Sequence, residues 1–166
     1  DSFFNKKINL GLDLQGGSYL LLEIDNEPVI EQKLQNLTTT FRNFFRDKDI
    51  KINNIKINDQ SIFFNVKEEN KQKVIDIFQD ENSDINPYYP RFKSHQLEIE
   101  DLGLNLKINF SRQGLINLKT SSQDQAIEIV RRRVDEVGTN EPNILKRGNS
   151  RILVELPGLD DPKRIK

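Results

Sequence analysis

Few side chains in this sequence could do chemistry. There is no Cys, and His95 is the only histidine among 166 residues. A thiolate nucleophile and a disulfide are therefore excluded, and a two-histidine zinc site cannot form within one chain. Asp and Glu number 26, but no pair of them lies in an apolar setting that would suit general acid–base catalysis. The sequence predicts no catalytic residue, no metal site and no cofactor.

Two further motifs could bind an anion. Gly16 and Gly17 could cradle a phosphate if a helix followed them, but residues 18–25 have the pattern of a strand, which favours a structural bend. Three consecutive arginines, from Arg131 to Arg133, could form a basic patch. Carboxylates lie four positions from two of them, however, a spacing that favours ion pairs on a helix. We therefore interpret the arginines as part of a solvated helix face.

The charge balance narrows the class of protein. Lys and Arg number 25 against 26 Asp and Glu, which argues against a nucleic-acid binder with a basic surplus and against a polybasic membrane anchor. The longest aliphatic or aromatic run is Tyr19–Leu22, far short of the ~18 residues typical of a membrane-spanning helix. The chain contains no Met and begins at Asp1, so we expect it to be a piece of a longer protein.

The first half of the chain predicts two helices and a strand pair. Apolar residues recur at helical spacing from position 28 to 47, with Pro28 at the first helical position. Alternating residues predict strands at 50–57 and 62–66, with an irregularity at Asn53–Asn54 that indicates a bulge. Two glutamates open a second helix at 68–79. The helical stripe comprises Ile30, Leu34, Leu37, Phe41 and Phe44.

The second half repeats this order. Clean alternation predicts a strand over 102–110, and a helix follows that begins either at Ser121 or Ser122 or earlier, near Gln113. Two short strands complete the series, which is α+β with ferredoxin-like split β-α-β elements in two successive units and helices packed on antiparallel sheets. The predicted divisions are 1–25 (first strand), 26–100 (inserted α/β subdomain) and 101–166 (second α/β unit).

Two separated stretches resemble the signature blocks of the SecD family of protein-export subunits. The first is Leu10–Gly17, with the sequence LGLDLQGG. The second begins at Arg132–Pro142 (RRVDEVGTNEP) and continues through Arg151–Gly158 (RILVELPG) to Asp161–Lys166 (DPKRIK). The two blocks stand in the family's order, which makes the match specific. The intervening stretch 26–111 carries no signature.

The resemblance implies a location and a role. The chain would be the N-terminal part of the first large periplasmic domain of a bacterial inner-membrane subunit. In the family this domain has a base near the membrane, built from ferredoxin-like elements, and a mobile head that follows the second block. SecDF couples proton flow to late steps of protein translocation through membrane helices outside this chain. The implied partners are SecF, the SecYEG translocon and, mainly through the head, preprotein; no nucleic acid is implied.

The signature residues would act structurally. The pair Gly16–Gly17 would turn the chain into the sheet, Gly138 would end the long helix, Pro142 would start the next strand, and Pro157–Gly158 would mark the exit towards the head. The full set is Gly11, Asp13, Gln15, Gly16, Gly17, Arg132, Arg133, Gly138, Glu141, Pro142, Pro157 and Gly158.

Two polar members of that set could contact the membrane domain. These are Asp13 and Arg132, for which the alternatives are a capped turn and a helical ion pair, respectively. We expect the chain to bind unfolded polypeptide weakly or not at all, and any binding to use an unpaired strand edge such as 102–110 or 152–156.

A rival function is a ferredoxin-like small-molecule or RNA-binding domain. RNA binding on such a sheet needs exposed aromatic residues on two central strands and a basic surface. Phe63 and Phe64 are adjacent, so only one of them can face outwards. An acylphosphatase-like enzyme would need an anion loop, and the sequence shows none.

Overall fold

The computed structural model describes residues 19–136 and 142–156, together with the backbone of residues 13–15. Its helices are α1 (Glu27–Asp47), α2 (Glu68–Gln79) and α3 (Arg112–Glu136). Its strands are β1 (Asp13–Gln15), β2 (Tyr19–Glu23), β3 (Asn53–Asn58), β4 (Ser61–Asn65), β5 (Tyr88–Tyr89), β6 (Ser94–His95), β7 (Leu97–Asp101), β8 (Leu106–Phe110), β9 (Asn143–Arg147) and β10 (Arg151–Glu155).

The strands form antiparallel sheets, which confirms the predicted α+β class. One four-stranded sheet has the order β1-β2-β10-β9, the other has the order β3-β4-β8-β7, and β5 pairs with β6. Since β4 and β7 are each antiparallel to β8, they run parallel to each other on either side of it. Helix α2 lies between β4 and β7 in the chain, so this sheet contains a split β-α-β element.

The two compact units are nested along the chain, whereas the sequence predicted two successive units. The continuous unit comprises residues 30–117, and the split unit comprises residues 1–29 and 118–166. The difference arises at β8, which the alternation of 102–110 assigned to the second unit. In the structure β8 pairs with β4 and β7, because Ile62 and Ile108 lie opposite each other at the centre of the sheet. The predicted divisions 1–25, 26–100 and 101–166 stay a prediction.

An aromatic cluster forms the core of the continuous unit. Phe41, Phe45, Phe64 and Phe78 are all almost fully buried, and the rings of Phe41 and Phe78 meet edge to face at 5.1 Å. The sequence predicted Phe44 as the last buried position of α1, but in the structure that position is Phe45. The correction follows from helical geometry, since positions 37, 41 and 45 are spaced by four and fall on one face.

Helix α1 ends in a Schellman motif, a hydrogen-bonded C-terminal turn. Asp49 takes a left-handed conformation with φ of 58°. The Ile50 amide donates to the Phe45 carbonyl at 2.8 Å, and the Asp49 amide donates to the Arg46 carbonyl at 3.0 Å. Ile50 and Phe45 are both buried, which supplies the apolar contact that accompanies this motif.

The first hairpin of this sheet confirms the irregularity predicted at Asn53–Asn54. The β3–β4 register shifts between Asn53 and Lys56, and Asn54 has a φ of 53°, so a bulge lies there. Asn58 pairs with Ser61, and both residues between them have positive φ. Positive φ at both loop positions is typical of a type I′ turn, whose twist matches that of the flanking strands.

The predicted strand 102–110 begins only at Leu106. Residues 102–105 form a turn in which the Leu102 amide donates to the Asn105 carbonyl at 2.9 Å. Gly103 has a φ of 90°, a conformation that interrupts a strand. The side chains of Leu102 and Leu104 are therefore 50% and 89% exposed, despite their alternation with the core residues of β8.

A lysine holds this turn in place. The Lys71 ammonium on α2 donates to the Gly103 carbonyl at 2.8 Å and lies 3.3 Å from carboxylate oxygens of both Asp101 and Glu68. Burial lowers the pKa of Lys71, but the hydrogen bonds and charges of the two carboxylates outweigh it, and the pKa is raised. The Gly103 amide donates to Asp101, which, with the lysine, lowers the pKa of that carboxyl group.

Helix α3 begins at Arg112, near the earlier of the two predicted starts. The Ser111 hydroxyl accepts from the Gly114 amide at 3.0 Å, which is N-cap geometry, and donates to the His95 carbonyl at 2.6 Å. Gly114 itself is buried against the Gln96 backbone, and a Cβ at this position would lie 2.1 Å from the Gln96 carbonyl oxygen. The close approach therefore requires glycine.

Candidate interaction surfaces

The first signature block supplies the outer strand of the split unit's sheet. Through their backbones Asp13 pairs with Leu21 and Gln15 pairs with Tyr19. The glycine pair belongs to the three residues that connect these strands, which lie outside the described residues. So do Gly11, Gly16, Gly17, Gly138, Glu141, Pro157 and Gly158.

The second signature block contributes the end of α3 and the β9–β10 hairpin. Arg132 and Arg133 are exposed in the last turns of α3. Pro142 directly precedes β9, the strand at one end of the four-stranded sheet. Since Pro lacks a backbone N–H, the start of an outer strand is a position where it is tolerated.

The two blocks contribute strands to one sheet although they are far apart in the sequence, and β2 lies between β1 of the first block and β10 of the second. β2 pairs with β10 over five residues, with Leu22 opposite Ile152 and Leu20 opposite Val154. Leu22, Ile152 and Val154 form a core cluster with Ile24 and Ala126, against which Ile127 and Val130 pack. Helix α3 thus packs on this sheet through Ile127 and Val130, in line with the prediction of helices packed on antiparallel sheets.

Polar groups fix the turn between β9 and β10. Gln123, which is 1% exposed, donates to the carbonyls of Gly148 at 3.2 Å and Arg151 at 2.8 Å. The Ile24 amide donates to the Ser150 carbonyl at 2.7 Å, and the Asn26 amide group donates to the Ser150 hydroxyl. Sequence reasoning missed this role of Gln123, because a glutamine within an amphipathic pattern carries no signal of burial.

The continuous unit contains a short β5–β6 hairpin. Tyr88 pairs with His95 and Tyr89 pairs with Ser94. The rings of Tyr88 and His95 pack edge to face at 4.8 Å, and His95 Nε2 is hydrogen-bonded to the Asp80 carbonyl at 2.9 Å. Burial and the adjacent Glu81 carboxylate raise the pKa of Tyr88. His95 is thus held by a ring contact and by a hydrogen bond.

The open face of the continuous unit's sheet carries one aromatic residue. Phe63 on β4 lies opposite Lys56 on β3 and Lys107 on β8. The neighbouring central strand β8 presents Lys107 and Asn109 on this face, since its alternate residues are buried. An RNA platform requires aromatic residues on both central strands, and this sheet has one on β4 alone.

A cationic cleft of about 430 Å³ lies at the C-terminal end of α1. It is lined by Arg42, Arg46 and Lys51 above Ile50 and Ile52, with Asp49 at its side. The Asp49 carboxylate and the negative end of the helix dipole offset part of this positive charge.

Metal and membrane signatures are absent from the described ranges. Within residues 19–136 and 142–156, no three His, Cys, Asp or Glu side chains are grouped as metal ligands would be. In the same part of the chain, no helix combines the length and apolar character needed to cross a bilayer.

Comparison with known proteins accounts for both signature blocks. A profile described as the N-terminal part of the P1 domain of protein translocase subunit SecDF matches residues 123–166. A profile for the GG motif of SecD and SecF matches residues 2–27. Both profiles describe protein translocase subunits, and the matched residues fall on the strands and helix that build the split unit.

Curated relatives extend the match across the chain. Protein translocase subunit SecD of Rickettsia conorii is 35% identical over 96% of this chain. SecD of Rickettsia bellii is 33% identical and SecD of Desulfurispirillum indicum is 32% identical, each over the same share. The comparisons therefore confirm the resemblance to the SecD family that the signature blocks indicated. The chain spans 29% of the length of each of these relatives, and no solved structure matches it.

Proposed function

We propose that this chain is a scaffold segment of a SecD-type subunit that assists protein translocation across the bacterial inner membrane. One observation carries the proposal. The two regions that match the family profiles, 2–27 and 123–166, contribute adjacent, hydrogen-bonded strands, β2 and β10, to a single sheet. Two signature regions that lie so far apart in the sequence are explained if members of the family require the sheet that these regions form together.

The proposed role of the segment is structural, and the segment itself catalyses no reaction. The buried side chains of the split unit are mainly apolar, and its buried amide, Gln123, is hydrogen-bonded to turn carbonyls. The segment would lie on the periplasmic side and transmit movement to or from membrane helices of the longer protein. Transport would depend on the proton-motive force, with SecF and the SecYEG translocon as partners and with preprotein bound mainly by another region of the subunit.

The signature residues have matching proposed roles. Gly16 and Gly17 would allow the turn from β1 to β2, and Gly138 and Pro142 would end α3 and begin β9. Asp13 and Arg132 are proposed as contacts to the membrane domain.

The test introduces one charge into the sheet of the full-length parent subunit. Val154 is fully buried between β2 and β9, so Val154→Asp leaves an unpaired charge in the core and disrupts the sheet. The control is Leu145→Asp on β9, where the side chain is 43% exposed. The rate of preprotein export in cells that depend on the variant is measured, together with co-purification of SecF and the steady-state level of the subunit.

Export and SecF association are expected to fall with Val154→Asp and to stay near the parental values with Leu145→Asp. Normal export by a Val154→Asp subunit whose sheet is shown by proteolysis to be disrupted would refute the scaffold role.

A further inference from the structure

The β5–β6 hairpin has an unusual composition for a hydrophilic chain. Residues 88–95 read YYPRFKSH and contain two of the three tyrosines. We call this segment, Tyr88–His95, the aromatic hairpin. Its charged side chains, Arg91 and Lys93, are both cationic and flank Phe92 directly. An aromatic residue between two cations is the combination that favours the interface between water and an anionic bilayer.

The turn presents these three side chains to solvent. The Phe92 amide donates to the Tyr89 carbonyl at 3.0 Å, and the Lys93 amide donates to the Pro90 carbonyl at 3.3 Å. Phe92 is 52% exposed, and Arg91 and Lys93 are exposed as well. The Arg91 guanidinium lies 5.7 Å from the centre of the Phe92 ring, so cation and ring form one continuous surface.

The two cations lack neutralising partners. Among the ion pairs found between described residues, none involves Arg91 or Lys93. The nearby Glu81 carboxylate raises the pKa of Tyr88 at the base of the hairpin, and none of those ion pairs joins it to the cations of the turn. The turn therefore carries a local charge of about +2, although the net charge of the whole chain is -1.

The base of the aromatic hairpin is held rigidly. The Gln96 amide donates to the Pro87 carbonyl at 2.8 Å, and the Ser111 hydroxyl donates to the His95 carbonyl at 2.6 Å. Buried Asn86 makes three hydrogen bonds, to Phe78 and to both backbone groups of Leu97. A preorganised projection loses little conformational freedom when it binds.

We propose that the tip of the aromatic hairpin contacts the surface of an anionic lipid bilayer, with Phe92 entering the interface and Arg91 and Lys93 contacting lipid phosphates. Tyr88 and Tyr89, both partly exposed, lie at the level where aromatic side chains favour the headgroup region. The contact is weak for the isolated chain, because a single ring and two cations supply it. The inference depends on the hairpin alone and not on the proposed translocase role.

The chain offers a matched internal comparison. The turn 102–105 exposes more apolar surface, with Leu104 89% exposed, but acidic Glu100 and Asp101 precede it. The Lys71 ammonium beside this turn is already bound by Asp101, Glu68 and the Gly103 carbonyl. An anionic surface repels the remaining negative charge, so this turn should stay away from the bilayer that the aromatic hairpin contacts.

The absence of Trp allows single-tryptophan reporters at both turns. Phe92→Trp and, as the control, Leu104→Trp are titrated with vesicles of phosphatidylglycerol and phosphatidylcholine in equal amounts, and with vesicles of phosphatidylcholine alone. For Phe92→Trp we expect a blue shift of the emission and quenching by lipids with brominated chains, with the mixed vesicles only. For Leu104→Trp we expect neither change.

A second set of variants tests the charges. Arg91→Ser with Lys93→Ser in the Phe92→Trp background should lower the partition coefficient roughly thirtyfold, from about 1 kcal/mol for each cation near an anionic surface. Unchanged emission of Phe92→Trp at millimolar lipid, equal quenching of both reporters, or no effect of removing the cations would each overturn the proposal. A shift produced by a polyglutamate peptide and not by vesicles would instead assign the surface to acidic polypeptides.

Discussion

The side-chain amide of Asn86 forms two hydrogen bonds with the backbone of Leu97, as the backbone of a neighbouring strand would do. Its Oδ1 accepts from the Leu97 amide at 2.8 Å, and its Nδ2 donates to the Leu97 carbonyl at 3.0 Å. The same Nδ2 donates to the Phe78 carbonyl at the end of α2 at 2.7 Å. One buried side chain thus satisfies three backbone groups and joins the aromatic hairpin to the core.

Replacing Asn86 should therefore be costly. Asn86→Leu removes three hydrogen bonds and leaves buried backbone groups unpaired, so the free energy of unfolding should fall by roughly 3 kcal/mol or more. Chemical denaturation followed by circular dichroism measures the change. Asn82→Leu in the exposed loop is the control and should change stability by less than about 0.5 kcal/mol. Equal effects of the two substitutions would contradict the role of Asn86.

Two serines, the N-cap Ser111 and Ser122 within α3, should respond oppositely to replacement by alanine. Ser111→Ala removes the N-cap and should cost about 1–2 kcal/mol. Ser122 is buried, and its hydroxyl has no hydrogen-bond partner among the described residues. Ser122→Ala should therefore stabilise the fold, by about 0.5 kcal/mol from helix propensity and more from the unsatisfied hydroxyl. Thermal unfolding of the two variants provides the comparison. A loss of stability at Ser122 would place the cap at the later start instead.

The close approach at Gly114 predicts a large effect of a single methyl group. A Cβ would lie 2.1 Å from the Gln96 carbonyl oxygen, so Gly114→Ala must displace the helix or the strand, at a cost of about 1–3 kcal/mol. Ordinarily, the same change in a helix stabilises it by roughly 0.5–1 kcal/mol. The urea midpoint of the variant shows whether the clash or the helix propensity dominates. A midpoint above that of the parent would show that the backbones of Gly114 and Gln96 are further apart.

The Schellman motif predicts a stabilising change at Asp49. Because Asp49 has a φ of 58°, Asp49→Gly should raise the free energy of unfolding by about 0.5–1 kcal/mol. Glu31→Gly, at an exposed position within α1, should lower it by a similar amount. If both glycines destabilise the chain in urea unfolding, the left-handed turn is not strained by Asp49.

The turn that exposes Leu104 should weaken in acid. The pKa of Asp101 is lowered from its usual 3.8, so the stability it contributes is present above that pH and is lost as the pH falls through the lower folded-state pKa. Lys71, whose pKa is raised above 10.5, loses its contribution only as the pH rises beyond that value. The Gly103 amide resonance in NMR spectra should report the acid transition, which Asp101→Asn should abolish. A midpoint of the acid transition at or above pH 3.8 would contradict the lowered pKa of Asp101.

The helices were predictable because their patterns are local. The stripe of α1 and the glutamates at the start of α2 gave bounds within a residue of those observed, 28–47 against Glu27–Asp47 and 68–79 for Glu68–Gln79. The bulge at Asn53–Asn54 was visible as a break in alternation. The turn at 102–105 was missed, because Leu102 and Leu104 continue the alternation of β8 while Gly103 reverses the chain.

Strand pairing and surfaces were harder to predict. Both strands expected to offer a free edge, 102–110 and 152–156, contribute interior strands, β8 and β10, so that route to peptide binding is not available on them. Alternation gives the face of a residue but not the neighbour of a strand. The aromatic hairpin was missed because β5 and β6 have two residues each, too few to show a period.

The nesting of the two units has a consequence for the order in which the chain folds. Contacts such as that between Asn26 and Ser150 join residues 124 positions apart, whereas the continuous unit is complete within residues 30–117. Closing so long a loop before its contacts form is slow. During synthesis the continuous unit can fold as soon as it emerges from the ribosome, while β2 waits for β10. Pulse-labelling hydrogen exchange should therefore show protection of Ile108 well before that of Leu22.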